Sequence, residues 1–342
     1  MTRNYKCLDV NEFRDGDYQL IPIRDFDKHA IREWRNQQIE ILRQSEPLSA
    51  EMQDSYFKNI VDQLFEVENP KQLLWSFLYK NELIGYGGLV HIDWEKRQAE
   101  ISFLTQTDRN HDKEIFISDW TNYLKIVKRI ARYYLDFNRI FTYAYDIRPN
   151  LYIALENSGF KETQRIKNEI LINHQKKDVV IHSLFFPKLN MRNAKKDDAD
   201  IYFNWANDEQ VRLNSFSIEK IEYDQHINWF NKKLNDDNCF FYFFTDEKNK
   251  PVGQVRIDKS NDENIIGISV DEAFRKSKLS AKMLVMACRN YLNQFKNNNI
   301  TAYIKEENKA SFKTFLNADF QLVEKTIING CKSFKLIKFR HE

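Results

Sequence analysis

The sequence predicts two tandem α/β domains, each a mixed, mostly antiparallel sheet flanked by helices. Three observations lead there: one cadence of residues occurs twice, the apolar periodicity between matching residues is the same both times, and the length suits two cores. The early half carries Trp34-Arg35-Asn36, Tyr56-Phe57, Ile84-Gly85, Ile101-Ser102-Phe103, Gly159-Phe160 and Ile172-Asn173. The late half carries Trp205-Ala206-Asn207, Trp229-Phe230, Val252-Gly253, Ile268-Ser269-Val270, Asp319-Phe320 and Ile328-Asn329 in the same order. Trp34 and Trp205 lie 171 residues apart, Gly85 and Gly253 168, and Phe160 and Phe320 160. Two copies of one domain that differ by small loop deletions account for this drift. A chain of 342 residues is long enough for about two domains with a core each. The boundary falls near Pro187, giving copies over 1–187 and 188–342.

Each copy opens with two amphipathic helical stretches. Asp27 is placed to cap a helix running to about Arg43, and Ser49 a second reaching about Phe65. In the late copy Asp197 and Ser217 take those places. Runs rich in aromatic and branched residues then predict strands over Leu73–Tyr79, Leu83–Ile92 and Ala99–Leu104, and over Cys239–Thr245, Val252–Asp258 and Ile265–Val270. A long helix follows, Phe116–Leu135 or Leu279–Phe295, then a strand, Arg139–Tyr145 or Ile300–Ile304. A shorter helix ending at Ser158 or Ala318 and two closing strands complete the order β-α-α-β-β-β-α-β-α-β-β.

Composition excludes several classes of function. The net charge is +2, from 52 basic and 50 acidic residues, so no global field recruits nucleic acid or a membrane surface. Cys7, Cys239, Cys288 and Cys331 are far apart and form no CxxC pair, which argues for free thiols in a reducing compartment and against a metal site. The longest apolar run, Cys239–Phe244, is too short to span a bilayer, and no basic-then-apolar leader opens the chain. A soluble cytoplasmic protein is expected, with a homo-oligomer left open. Glycine is scarce, 8 in 342 residues, and this shortage counts against any function that relies on a glycine-rich phosphate loop.

Chemistry concentrates where a strand, a tight loop and a long helix meet, at Val270 to Leu284. A helix start presents free backbone N–H groups and the positive end of the helix dipole, which favour a phosphate. Arg275, Lys276 and Lys278 add basic charge there. An ordinary solvated helix start remains the alternative.

The segment resembles the acyl-CoA pyrophosphate loop of the GNAT N-acetyltransferase superfamily, Arg/Gln-x-x-Gly-x-Gly/Ala. Arg275, Leu279 and Ser280 fall in register with that pattern, and Lys278 stands where the first glycine is usual. Asn308-Lys309-Ala310-Ser311 resembles the family's Asn-x-x-Ser helix beside the CoA, although Asn308 also suits a plain helix cap. Phe315 replaces the tyrosine that protonates the departing thiolate in many members. The early copy keeps Arg109 in register, within Thr107-Asp108-Arg109-Asn110-His111-Asp112-Lys113, but has no glycine there. The resemblance thus implies acetyl-CoA contacts at Val270, Arg275, Lys276, Ser277, Lys278, Leu279, Ser280, Asn308 and Ser311, and at Arg109, Asn110 and Lys113.

It also implies a general base at Glu100 on the fourth strand, where the late copy has Ile265. A carboxylate suits the removal of a proton from an attacking amine; a glutamate facing Arg97 on an edge strand is the structural alternative. Trp205-Ala206-Asn207-Asp208, Val211-Arg212, Phe216 and His226-x-x-Trp229-Phe230 resemble a subgroup that acetylates nucleotide-linked amino sugars. Arg212, His226 and Trp229 are the implied substrate contacts, with a solvent-facing helical histidine or packing on the sheet as the alternatives.

Overall fold

The computed structural model describes residues 3–260, 263–295 and 299–339. The chain divides into two compact units, Met1–Phe186 and Pro187–Glu342.

In unit 1 a hairpin of β1 (Phe13–Asp15) and β2 (Tyr18–Pro22) precedes α1 (Lys28–Gln37) and α2 (Ala50–Tyr56), which continues as tightened and widened turns to Phe65. Then come β3 (Leu73–Tyr79), β4 (Glu82–Asp93), β5 (Gln98–Thr105), a one-turn α3 (Thr107–His111) and α4 (Lys113–Arg129), extended to Tyr134. After β6 (Arg139–Tyr145) and α5 (Pro149–Asn157), the long hairpin of β7 (Lys161–Ile172) and β8 (Gln175–Phe185) closes the unit. The sheet order is β1-β2-β3-β4-β5-β6-β8-β7, antiparallel except for β5 beside β6.

Unit 2 repeats the plan. It has β9 (Asn190–Asn193), α6 (Ala199–Asn207), α7 (Glu209–Asn214), α8 (Tyr223–Leu234), β10 (Cys239–Thr245), β11 (Pro251–Lys259), β12 (Asn264–Val270), α9 (Leu279–Gln294), β13 (Ile300–Lys305), α10 (Lys309–Asn317), β14 (Gln321–Ile328) and β15 (Cys331–Lys338). Its sheet runs β14-β15-β13-β12-β11-β10-β9, and the single parallel neighbours are β12 and β13. Helices cover both faces: a Cβ on Gly253 would meet Met283 of α9 at 2.9 Å, while Arg256 lies over Trp229 of α8 on the other side, 5.1 Å from its ring centroid.

The glycines of the repeat have a common cause. A Cβ at Gly85 would approach the Leu104 carbonyl oxygen to 2.7 Å, and one at Gly253 the Ser269 carbonyl oxygen to 2.3 Å. At both places the neighbouring strand comes too close for a side chain.

Four expected caps and limits shift. α1 ends at Gln37 rather than near Arg43, because Gln38 leaves helical geometry at φ −118°. The side chain of Asp27 caps nothing: it is buried, takes two bonds from Arg24 at 2.7 and 2.9 Å and accepts from Ser76 Oγ at 2.6 Å. Its counterpart is Asp198, not Asp197. Asp198 is held by Arg192 through two bonds of 2.7 Å and accepts from the Lys195 backbone at 2.7 Å. Ser217 also caps no helix, since α8 starts at Tyr223 with Glu222 before it, and an extra helix, α7, is capped instead by Asp208 accepting from Val211 N at 3.0 Å. Ser49 does cap α2, accepting from Met52 N at 3.2 Å.

Candidate functional site

The two parallel pairs part company early. β5 and β6 pair from Gln98–Arg139 through Glu100–Phe141 and no further, and β12 and β13 share the single pair Ile265–Thr301. Beyond those residues each sheet opens into a split, the kind of crevice at the carboxyl ends of adjacent parallel strands that receives ligands in open α/β sheets. A long helix starts just past one lip of each split.

In unit 2 that helix start is open. Asp271 caps only the short turn before it, accepting from Ala273 N at 3.0 Å while also receiving Trp205 Nε1 at 3.0 Å. Lys278 stands at the N-cap position of α9 with φ 62°, ψ 21°, and its side chain makes no capping bond. Lys276 is also left-handed, at φ 62°. Each such residue costs about 1–2 kcal/mol when it carries a Cβ, and the conformation aims successive backbone N–H groups into one concavity. Arg275 ion-pairs with Asp208 at the head of α7, which ties the loop to the helices above. Ser277 Oγ turns back to the Phe274 carbonyl. Val270 faces Gly253 across the ladder, Leu279 is buried, and Ser280 lies in the first turn of α9. Asn308 caps α10, accepting from Ser311 N at 3.0 Å.

The matching start in unit 1 is filled. Asp112 Oδ1 accepts from the backbone N–H of Glu114 at 2.8 Å and of Ile115 at 3.0 Å, with Glu114 adding a second negative charge in the first turn. Arg109 points away into a bidentate pair with Asp119, 2.7 and 2.8 Å, whose side chain is 0% exposed. Asn110 is bonded to Thr105 and Gln38, while Lys113 is an exposed residue at the start of α4. Arg148 packs its guanidinium 5.9 Å from the Trp120 ring, between the end of β6 and α4.

Glu100 stands at the last paired position before the unit 1 split, only 6% exposed. It bonds Arg43 and lies 4.0 Å from His91 Nε2. Burial pushes its carboxyl above the usual range, and Arg43 and then His91 oppose that shift. Arg43 lies 4.5 Å over the Tyr143 ring and so covers this part of the split. The edge-strand alternative does not apply: β5 is internal, and Arg97 pairs with Asp136.

The same face in unit 2 is open. Ile265 is 42% exposed, and a Cβ on Gly267 would have nothing within 4 Å. Arg256 and Asp258 lie directly opposite these two residues on β11, with Asp258 held by Lys233 at 2.9 Å and Arg256 at 2.7 Å. Sequence reasoning missed Glu263 and Tyr303. The Tyr303 hydroxyl donates to Glu263 Oε2 at 2.7 Å, and Lys335 Nζ lies 2.7 Å from Glu263 Oε1.

Two expected acceptor contacts have other partners. Arg212 holds its own loop, donating to the carbonyls of Ser217 at 3.2 Å and Glu219 at 3.3 Å and to Ser215 Oγ at 3.1 Å. His226 is 2% exposed rather than solvent-facing. Its ring packs against Phe203, Trp229 and Phe230, and burial lowers its pKa. Of the three, Trp229 alone presents an exposed ring. Among the described residues no group of His, Cys, Asp and Glu is placed to hold a metal ion, and no helix is long and apolar enough to cross a membrane.

Residues 21–181 match a family described as Acetyltransferase (GNAT) domain, and residues 188–321 match a second family of the same description. No curated protein matches the chain. Among solved structures it is similar to a spermidine N-acetyltransferase from Vibrio cholerae in complex with CoA and spermine, at 15% identity over 44% of this chain and 95% of that one, with a TM-score of 0.41. It is also similar to a domain from Methanocaldococcus jannaschii, at 19% identity over 45% of this chain and 99% of that one, TM-score 0.39. The two family matches together account for most of the chain, which belongs to the GNAT acetyltransferases, acyl-CoA-dependent N-acetyltransferases, and carries two of their domains in tandem.

Proposed function

We propose that the chain moves an acetyl group from acetyl-CoA to the amine of a nucleotide-linked amino sugar, and that unit 2 is the unit that holds the acetyl-CoA. The observation that carries this is the contrast between the two helix starts. That of α9 carries no side-chain cap and is flanked by Arg275, Lys276 and Lys278, whereas that of α4 is occupied by the Asp112 carboxylate. A diphosphate fits the first and is repelled by the second. Backbone N–H groups of Leu279 and Ser280, with the lysines, would hold the diphosphate, and Asn308 and Ser311 would border the rest of the molecule.

The acceptor amine attacks the thioester directly, so no nucleophilic cysteine or serine is required. The acceptor class rests on the Trp205-Ala206-Asn207-Asp208 and His226-x-x-Trp229-Phe230 resemblance. The exposed Trp229 ring beside Arg256 supports it, as a platform for a base or sugar next to a cation for phosphate. The cytoplasm, where acetyl-CoA and reduced thiols coexist, is the compartment that fits this reading.

The test is thiol release from acetyl-CoA by the whole chain with a panel of UDP-linked amino sugars, polyamines and peptides. Turnover with an amino sugar well above the others is expected. A preference for a polyamine or a peptide amine overturns the acceptor assignment and leaves the acetyltransferase standing.

A second reading makes Glu100 a general base in unit 1. It is favoured by the burial that raises this carboxyl at the mouth of a split, and is opposed by the filled start of α4 and the cover of Arg43.

A further inference from the structure

We propose that Tyr303 and Glu263 form the proton-accepting pair of unit 2, in the place left empty by Ile265. This rests on the reading that unit 2 carries out the acetyl transfer. Glu100 and Ile265 mark the same point in the two sheets, because each stands five residues before the residue that faces the repeat's glycine, Thr105 or Val270, and pairs in the parallel junction, with Phe141 or Thr301. The same register makes Gln98 the counterpart of Glu263 and Tyr143 the counterpart of Tyr303. The acid has therefore moved two residues back along the chain, into the turn that precedes β12 (Asn264–Val270), where the Glu263 carbonyl accepts from Ser260 N at 3.1 Å.

Tyr303 lies two residues beyond the Thr301 junction, within the part of β13 that has parted from β12. Its hydroxyl reaches back to Glu263 Oε2 at 2.7 Å, and Lys335 holds the other carboxylate oxygen at 2.7 Å. Lys335 and then Tyr303 keep the Glu263 carboxyl below its ordinary range, so it is an ionised acceptor for the Tyr303 hydroxyl. Unit 1 has a tyrosine at the corresponding place, but there Arg43 lies over it. In unit 2 the neighbouring surface is open at Gly267 and Ile265.

In the step, the amine nitrogen bonds to the thioester carbonyl carbon and the C–S bond breaks, giving the amide and the CoA thiolate. The nitrogen's proton passes to the Tyr303 oxygen as the Tyr303 proton passes to Glu263. Water protonates the thiolate, and Glu263 returns its proton to solvent through Tyr303. Tyr303 is the group that meets the amine; Glu263 acts through it and is a positioning residue.

The experiment compares the unmodified chain with Tyr303→Phe, Glu263→Gln and Glu263→Asp. It measures acetyl-CoA binding by calorimetry and the pH profile of amine-dependent thiol release with a UDP-linked amino sugar, a polyamine and a peptide amine. Expected are acetyl-CoA affinities within about twofold of one another, and kcat reduced about 100-fold in Y303F and E263Q. E263D should recover part of the loss, and the acidic limb of the profile should be displaced in both glutamate variants. Wild-type kcat and pH profile in Y303F and E263Q, in a chain that binds acetyl-CoA and turns over, overturn this inference alone. No acetyl-CoA binding, or no amine-dependent release by the unmodified chain, overturns the acetyltransferase reading of unit 2 and this inference with it.

Discussion

Glu100 and Ile265 hold the same place in the two sheets. Each stands five residues before the strand residue that faces the repeat's glycine, Thr105 opposite Gly85 and Val270 opposite Gly253. Unit 1 therefore combines an acid at this place with a helix start filled by Asp112, while unit 2 combines an isoleucine with an open helix start.

If unit 2 performs the transfer, Glu100→Gln leaves turnover within about twofold of the unmodified chain. A general base is worth about 10²–10⁴ in rate, so a loss of that size in E100Q would instead support Glu100 as a base. Steady-state thiol release at saturating acetyl-CoA separates the two.

Lys278 occupies a left-handed conformation at φ 62°. Glycine adopts it without the Cβ clash but loses more backbone entropy on folding, so Lys278→Gly should raise stability by about 0.5–1 kcal/mol. Urea denaturation at constant m-value is the measurement. A destabilisation would show that the lysine side chain makes contacts worth more than the relief.

Asp112 supplies two capping bonds to α4. Asp112→Ala should cost about 1 kcal/mol and leave acetyl-CoA affinity unchanged, because Glu114 and the Arg109–Asp119 pair remain. A gain in bound acetyl-CoA on removing the cap would mean that unit 1 keeps a latent site.

His226 is held neutral by burial, which depresses its pKa in the folded chain. Above the ordinary imidazole value, about 6.5, neither state carries the proton and its contribution to stability is fully present. As pH falls through that value the unfolded chain binds the proton first, so stability declines. His182 shifts in the same direction for the same cause. The melting temperature should fall between about pH 7 and pH 5, and His226→Phe should flatten that slope. An unchanged slope would place the titration elsewhere.

Much of the fold could be read from local pattern, because strands such as Leu73–Tyr79, Arg139–Tyr145 and Cys239–Thr245 are continuous runs of aromatic and branched residues with the limits the structure shows. The buried acid of unit 2 was also legible: Asp27 and Asp198 are separated by the same 171 residues as Trp34 and Trp205, and spacing points to Asp198 where capping propensity pointed to Asp197. The pair of Tyr303 and Glu263 was not legible, because the repeat is visible only at its motifs and neither residue lies in one. Arg43 could not be inferred at all. It reaches Glu100 across 57 residues of sequence from a loop, and no period or motif connects them.

The asymmetry of the two units is tested most directly by the stoichiometry of acetyl-CoA binding to the whole chain, measured by calorimetry. One acetyl-CoA per chain is expected, its affinity lowered at least tenfold by Arg275→Glu, which reverses charge beside the α9 start and breaks the pair with Asp208. Two acetyl-CoA per chain, or one whose affinity Arg275→Glu does not change, would contradict the assignment of the acyl-CoA site to unit 2.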